Sequence, residues 1–84
     1  MKTVEIYTTQ SCPYCIAAKQ LLRKKGVQYA EIDVSRDPSL RTVMTRRANG
    51  GRTVPQIFID GTHIGGSDEL HALDHAGGLD PLLA

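Results

Sequence analysis

The sequence predicts an α/β fold, a four-stranded mixed sheet flanked by helices in the order β-α-β-α-β-β-α, and three observations predict it. An alternating segment with Val4 and Ile6 at its apolar positions runs straight into an amphipathic one containing Ala17, Ala18, Leu21 and Leu22. A second extended segment, 27–34, follows, and a strand, a helix and a strand in that order imply a parallel pair with a right-handed crossover. Near the other end, the apolar run from Val54 to Ile59 meets Asp60-Gly61, a hairpin turn signal, which adds an antiparallel pair.

The first strand is read from Lys2 to Thr8, with one face towards a core, and a loop from Thr8 to Ser11 follows it. Pro13 suits the first position of a helix because its missing N–H is one that a helix leaves unpaired, and its φ is already helical. Cys12 is then the N-cap. Lys19, Arg23, Lys24 and Lys25 are expected in water at the negative end of this helix, and Gly26 ends it. Val27, Tyr29, Ile32 and Val34 mark the second strand. Asp37-Pro38 opens a second helix with Leu40, Val43 and Met44 as its apolar stripe, until Asn49-Gly50-Gly51 breaks it. Residues 54–59 and 62–65 form the hairpin. Ser67 is expected to cap a third helix with Asp68 and Glu69 in its first turn and Leu70 and Leu73 inside, Gly77-Gly78 stops it, and Asp80-Pro81 starts a last short turn. The order describes a thioredoxin-like architecture.

Eighty-four residues with a net charge of +1 are expected to form one domain, 1–84, and carry no bulk charge that calls for nucleic acid. No apolar run is long enough to span a bilayer, and the polar, charged N-terminus does not read as a signal peptide. Only two cysteines are present, three apart, and a bridge between them closes too short a loop to staple a fold. They read as chemistry rather than scaffold, in a reducing, cytoplasmic setting.

The chemistry expected of Cys12-Pro13-Tyr14-Cys15 is thiol–disulfide exchange. A cysteine at a helix N-cap lies among unpaired backbone N–H groups, which favour its thiolate and lower its pKa, so Cys12 is expected to attack. Cys15, one turn further in, is expected to resolve the mixed disulfide. Zinc binding is the usual rival for a C-x-x-C pair, and His71 and His75 stand four apart on a predicted helix. A whole predicted sheet separates them from Cys15, so both read as helix-surface residues, His63 as a solvated strand residue, and no metal site is expected. Tyr7, Tyr29 and Phe58 read as sheet or core aromatics. Arg46-Arg47 with Arg52 reads as a solvated rim.

Over essentially its whole length the chain resembles a glutaredoxin of the short bacterial dithiol type. Four motifs carry the resemblance: Tyr7-Thr8 leading to Cys12-Pro13-Tyr14-Cys15, Thr53-Val54-Pro55-Gln56-Ile57-Phe58-Ile59, Ile64-Gly65-Gly66-Ser67-Asp68, and Gly78-Leu79-Asp80. What it implies is a glutathione-dependent oxidoreductase that reduces glutathione mixed disulfides and protein disulfides. Glutathione is then a cosubstrate rather than a permanently bound cofactor. It implies a groove for glutathione between the active-site loop, with Ser11 and Pro13 as its supports, Thr53-Val54-Pro55, and the start of the third helix. Pro55 corresponds to a cis proline that turns the Val54 backbone towards the cysteine of glutathione. Tyr14 would form one wall, while Ser67 and Asp68 would meet the γ-glutamyl carboxylate and ammonium.

One departure falls at Thr9, where the family usually has a lysine for the glycine carboxylate of glutathione. Arg41 and Arg52 are the remaining candidates for that charge. The expectation is weaker glutathione binding or a less depressed Cys12 pKa than in relatives with the lysine. Thiolate absorbance against pH for wild type and Thr9→Lys tests it, and identical titrations would count against it. The expected protein is a monomer acting on disulfide-containing and glutathionylated proteins, with ribonucleotide reductase as a family substrate. Two other readings stay open. One is a redoxin recharged by thioredoxin reductase, and the other a carrier of an iron–sulfur cluster ligated by Cys12 and glutathione, against which the stiff Pro13 argues.

Overall fold

The computed structural model describes residues 2–84. Its strands are β1 (Val4–Thr8), β2 (Ala30–Asp33), β3 (Gln56–Ile59) and β4 (Thr62–Gly65), and its helices are α1 (Pro13–Lys24), α2 (Pro38–Arg47), α3 (Ser67–His75) and α4 (Leu79–Leu83). The strands lie in the order β2-β1-β3-β4, with β1 parallel to β2 and antiparallel to β3, and β3 antiparallel to β4. This is the mixed sheet that the sequence predicts, in a thioredoxin-like fold.

Local chemistry sets the boundaries. Asp60 and Gly61 both have positive φ, +52° and +82°, as the tightest hairpin turn requires, and few residue types other than Asn, Asp and Gly tolerate it. The carboxylate of Asp37 accepts from the N–H groups of Ser39 and Leu40, capping α2. At the end of α1, Gly26 sits at φ +73° while its N–H and that of Val27 return to the carbonyls of Arg23 and Leu22. Paired β2 is shorter than the apolar stretch 27–34, because Val27 is spent on this helix ending and pairing with β1 starts only at Ala30.

Both faces of the sheet are covered, which corrects the expectation of a single core face for β1. Val4 and Ile6 of β1, Ile57 and Ile59 of β3, Ala18, Leu21 and Leu22 of α1, Leu70 and Leu79 form one cluster. Tyr7, Val34, Met44, Ala48 and Phe58 form the other, beneath α2. The second layer escapes a reading by alternation because α2 is weakly amphipathic: Met44 is buried and Leu40 half-buried, while Val43 stays exposed. The expected last turn is a short helix that starts a residue before Asp80, because Leu79 is fully buried in the first cluster.

Arg47 departs furthest from the solvated rim expected of it. Its guanidinium donates to both carboxylate oxygens of Glu5, at 3.1 and 2.9 Å, and to the Tyr7 hydroxyl at 2.9 Å, and lies 4.1 Å from the Phe58 ring centre. Lys19 and Lys25 are likewise half-buried, Lys19 paired with Glu31 and Lys25 with Asp74 and Asp80. The hydrogen bond from Arg47, with its charge, holds the Glu5 carboxyl below the usual range against the opposing effect of burial. A folded-state pKa below the unfolded one means that the contribution is full above about pH 4.3 and fades as the pH falls through the folded value. Wild type should therefore exceed Arg47→Met by about 1–2 kcal/mol at neutral pH, and the gap should narrow below about pH 4. Urea melts at pH 7 and pH 3 measure it, and a constant gap would show that the carboxylate is not the stabilising partner.

Candidate active site

The β1–α1 connection sets the site. Ser11 takes a left-handed backbone, φ +59°, which turns the chain so that Cys12 enters as the N-cap of α1 with Pro13 as the first helical residue. Cys12 Sγ accepts from the Cys15 N–H at 3.2 Å, filling for the helix the role that a serine or aspartate oxygen usually takes. It lies 3.9 Å from the Val54 carbonyl oxygen. Cys12 is partly accessible, whereas Cys15 is 1% exposed, and both are free thiols.

Burial pushes the Cys15 thiol up to about 12, and the neighbouring Cys12 adds to the rise, against a backbone hydrogen bond from Thr9. The two sulfurs therefore differ in access and, for Cys15, in readiness to ionise. At pH 8, one equivalent of iodoacetamide should label Cys12, with Cys15 trailing by a factor of about 100 or more. Peptide mass spectrometry after quenching reads the ratio. Equal labelling would refute the asymmetry.

Beside Cys12 opens a groove of about 300 Å³ lined by Tyr14, Thr53, Val54, Pro55 and residues Gly66 to Glu69. Three separate stretches meet here: the first turn of α1, the segment before β3, and the start of α3. The Val54–Pro55 peptide bond is cis. Gly65, at φ +122°, leads into α3, and a Cβ there would stand 2.8–2.9 Å from the Glu69 side chain, so a glycine is required for the chain to pass.

The cap of α3 differs from the expected one. Gly66 is the N-cap and Ser67 the first helical residue, because the Glu69 carboxylate reaches back to the Gly66 N–H at 2.7 Å. Ser67 is buried, and its carbonyl accepts from His71 Nδ1 at 2.8 Å, which makes His71 a half-buried helix brace rather than a free surface residue. His63, expected in solvent, is half-buried, bonds to Gln56 at 2.7 Å and packs its ring on Phe58.

Six of the residues singled out for glutathione line this one groove: Tyr14, Thr53, Val54, Pro55, Ser67 and Asp68. Thr9 and Arg41 do not line it. Arg41 donates to the Arg52 carbonyl at 3.0 Å and shares a neighbouring cleft with Arg46 and Arg52. Gly66 and Glu69 line the groove without having been singled out. The spacing of Glu69 three residues after Gly66 was the available signal, since a glutamate at that place commonly caps backward.

Comparison with known proteins shows the family and the fold. The glutaredoxin family model matches residues 4–64. A glutaredoxin of Pseudomonas aeruginosa is 57% identical over 84 residues, covering 100% of this chain and 99% of its own. Glutaredoxin 3 of Escherichia coli is 55% identical over 83 residues, 99% of each chain. Among solved structures, a glutaredoxin from Brucella melitensis superposes with a TM-score of 0.84 at 52% identity, covering 96% of this chain and 87% of that one. The crystal structure of a buckwheat glutaredoxin–glutathione complex gives a TM-score of 0.89 at 29% identity, covering 98% of this chain and 76% of that one.

Proposed function

The chain belongs to the glutaredoxin family of thiol–disulfide oxidoreductases, and from that premise we propose that it uses glutathione to reduce glutathione mixed disulfides and protein disulfides, with Cys12 as nucleophile and Cys15 as resolving thiol. The observation that carries this reading is the partly exposed Cys12 at the N-cap of α1, beside a groove built from three separate stretches of chain. The buckwheat relative's complex with glutathione supports the choice of ligand.

In this reading the Cys12 thiolate attacks the glutathione sulfur of a mixed disulfide. A Cys12–glutathione disulfide forms, and the protein thiolate leaves and takes up a proton. A second glutathione thiolate then attacks the bound glutathione sulfur, releasing glutathione disulfide and restoring Cys12. With a protein disulfide, Cys12 forms the mixed disulfide, Cys15 loses its proton and displaces the substrate, and the resulting Cys12–Cys15 disulfide is reduced by two glutathiones. Part of the upward push on Cys15 comes from Cys12 itself. Once the Cys12 sulfur is tied up in a disulfide that part disappears, so Cys15 ionises more readily when its turn comes.

The groove residues divide the recognition. The Val54 main chain offers strand-like pairing to the cysteine of glutathione. The start of α3 offers N–H donors to the γ-glutamyl carboxylate, with Asp68 facing its ammonium, and Tyr14 forms the wall beside the sulfur. Arg41 and Arg52, outside the groove in a neighbouring cleft, are our candidates for the glycine carboxylate that a lysine at the position of Thr9 would otherwise hold. The setting this chemistry requires is a reducing compartment, the cytoplasm in our reading. No helix among the described residues is long and apolar enough to cross a membrane.

The deciding experiment is NADPH oxidation with a small glutathione mixed disulfide, coupled once to glutathione with glutathione reductase and once to thioredoxin reductase. Turnover in the first system is expected. Turnover confined to the second would overturn glutathione as the electron donor.

A further inference from the structure

Gln56 is a buried polar residue at the first position of β3, 5% exposed, and every polar atom of its side chain has a partner. Its Nε2 donates to the Thr53 carbonyl at 3.0 Å and approaches Thr53 Oγ1 at 3.3 Å. Its Oε1 accepts from His63 Nε2 at 2.7 Å. The orientation follows from the partners: a carbonyl can only accept, so the amide nitrogen must face Thr53, and the amide oxygen then requires a proton on His63 Nε2. His63 is itself held on β4, where it pairs in register with Phe58 and packs its ring on the Phe58 ring at 5.1 Å between centres. Gly51 leaves room for the amide: a Cβ there would lie 3.1 Å from Gln56 Nε2.

The bonds run from the sheet interior to the groove. Thr53 and Val54 line that groove, and the Val54 carbonyl oxygen lies 3.9 Å from Cys12 Sγ. Thr53 and Val54 themselves belong to no strand, and the Gln56 amide is what ties the Thr53 carbonyl to the rigid hairpin.

We propose that Gln56, braced by His63, is a positioning residue that fixes the Thr53–Val54 main chain and so sets the groove's affinity for glutathione. The proposal rests on the glutathione reading above. Neither residue touches the reacting sulfurs. Loss of the brace leaves Thr53 free to sample positions in which the pairing edge is misplaced, which weakens binding while the Cys12 chemistry, set by the α1 N-cap, is retained.

Steady-state kinetics on Gln56→Leu, His63→Phe and His63→Gln test it, each variant first checked by thermal melting. With a glutathione mixed disulfide, Gln56→Leu and His63→Phe should raise KM about five- to tenfold with kcat within about twofold. His63→Phe keeps an aromatic ring on Phe58 and loses only the donor. His63→Gln, which restores an N–H, should recover most of the KM. Dithiothreitol-driven reduction of a protein disulfide, which needs no glutathione, should be unchanged in all three. An unaltered KM in Gln56→Leu would overturn the proposal, and so would an equal loss in both assays, which would mark a general structural role. A wild type that fails to turn over with glutathione while reducing the protein disulfide would overturn the glutathione reading and this inference together, a pattern distinct from either of the others.

Discussion

Cys12→Ser should lower turnover of a glutathione mixed disulfide by at least about a thousandfold, whereas Cys15→Ser should keep that activity within a few-fold and lose about a hundredfold on a protein disulfide. The asymmetry follows from position. Cys12 is partly exposed beside the groove, and a serine there offers the same cap to α1 with a hydroxyl that does not ionise at neutral pH. Because serine is a good cap, the variant should fold as well as wild type, and the loss should be chemical. Cys15 is buried in the first turn of α1 and can act only on a sulfur already attached to Cys12. A glutathione mixed disulfide has a second route, attack by another glutathione, and a protein disulfide with a slow external route needs the internal thiol. Coupled NADPH oxidation on the two substrates separates the cases. Undiminished protein-disulfide reduction by Cys15→Ser would sink the two-thiol mechanism.

Phe58→Ala should cost about 3–5 kcal/mol of folding stability. Phe58 is 1% exposed on the central part of the sheet, and three different groups use its ring: Tyr7 edge-on at 5.8 Å, His63 at 5.1 Å and the Arg47 guanidinium at 4.1 Å. Removing it opens a cavity in the smaller of the two clusters and strips the cation of the nearer of its two aromatic partners. A domain of 84 residues has a total of about 4–12 kcal/mol to lose. The variant should therefore unfold about 2–4 M earlier in urea than wild type. Phe58→Leu, which keeps most of the volume, should lose less than half as much. A loss under about 1 kcal/mol in Phe58→Ala would mean that the layer beneath α2 repacks freely.

The residues that announced themselves in the sequence are those whose local rules are strict. Pro13 behind Cys12, Pro38 behind Asp37, Asp60-Gly61 and Gly26 each fix a backbone state, and all four end or start elements as their chemistry demands. The groove residues Tyr14, Thr53, Val54, Pro55, Ser67 and Asp68 were legible through a resemblance carried by motifs, since no periodicity brings positions 14, 54 and 67 together. What stayed hidden depends on long-range packing. Arg47 reads as one of several charges until β1 places Glu5 and Tyr7 opposite it. His63 and Gln56 acquire their partnership only from the β3–β4 register. Ser67 and Asp68 lie next to the helix start, and the choice of Gly66 over Ser67 as cap was decided by how far the Glu69 side chain reaches.

Tyr14 lies in the first turn of α1 and residues Gly66 to Glu69 open α3, so two helices begin at the same groove. Each helix start behaves as about half a positive charge, because its peptide dipoles are aligned and its first N–H groups have no carbonyl partner within the helix. The main chain thereby places roughly one unit of positive potential at the groove, against which stand the carboxylates of Asp68 and Glu69 that also line it. Peptide groups do not titrate and cannot be exchanged by point substitution. The main-chain contribution to the groove's potential is therefore independent of pH, a bias written into the path of the chain rather than into any one residue.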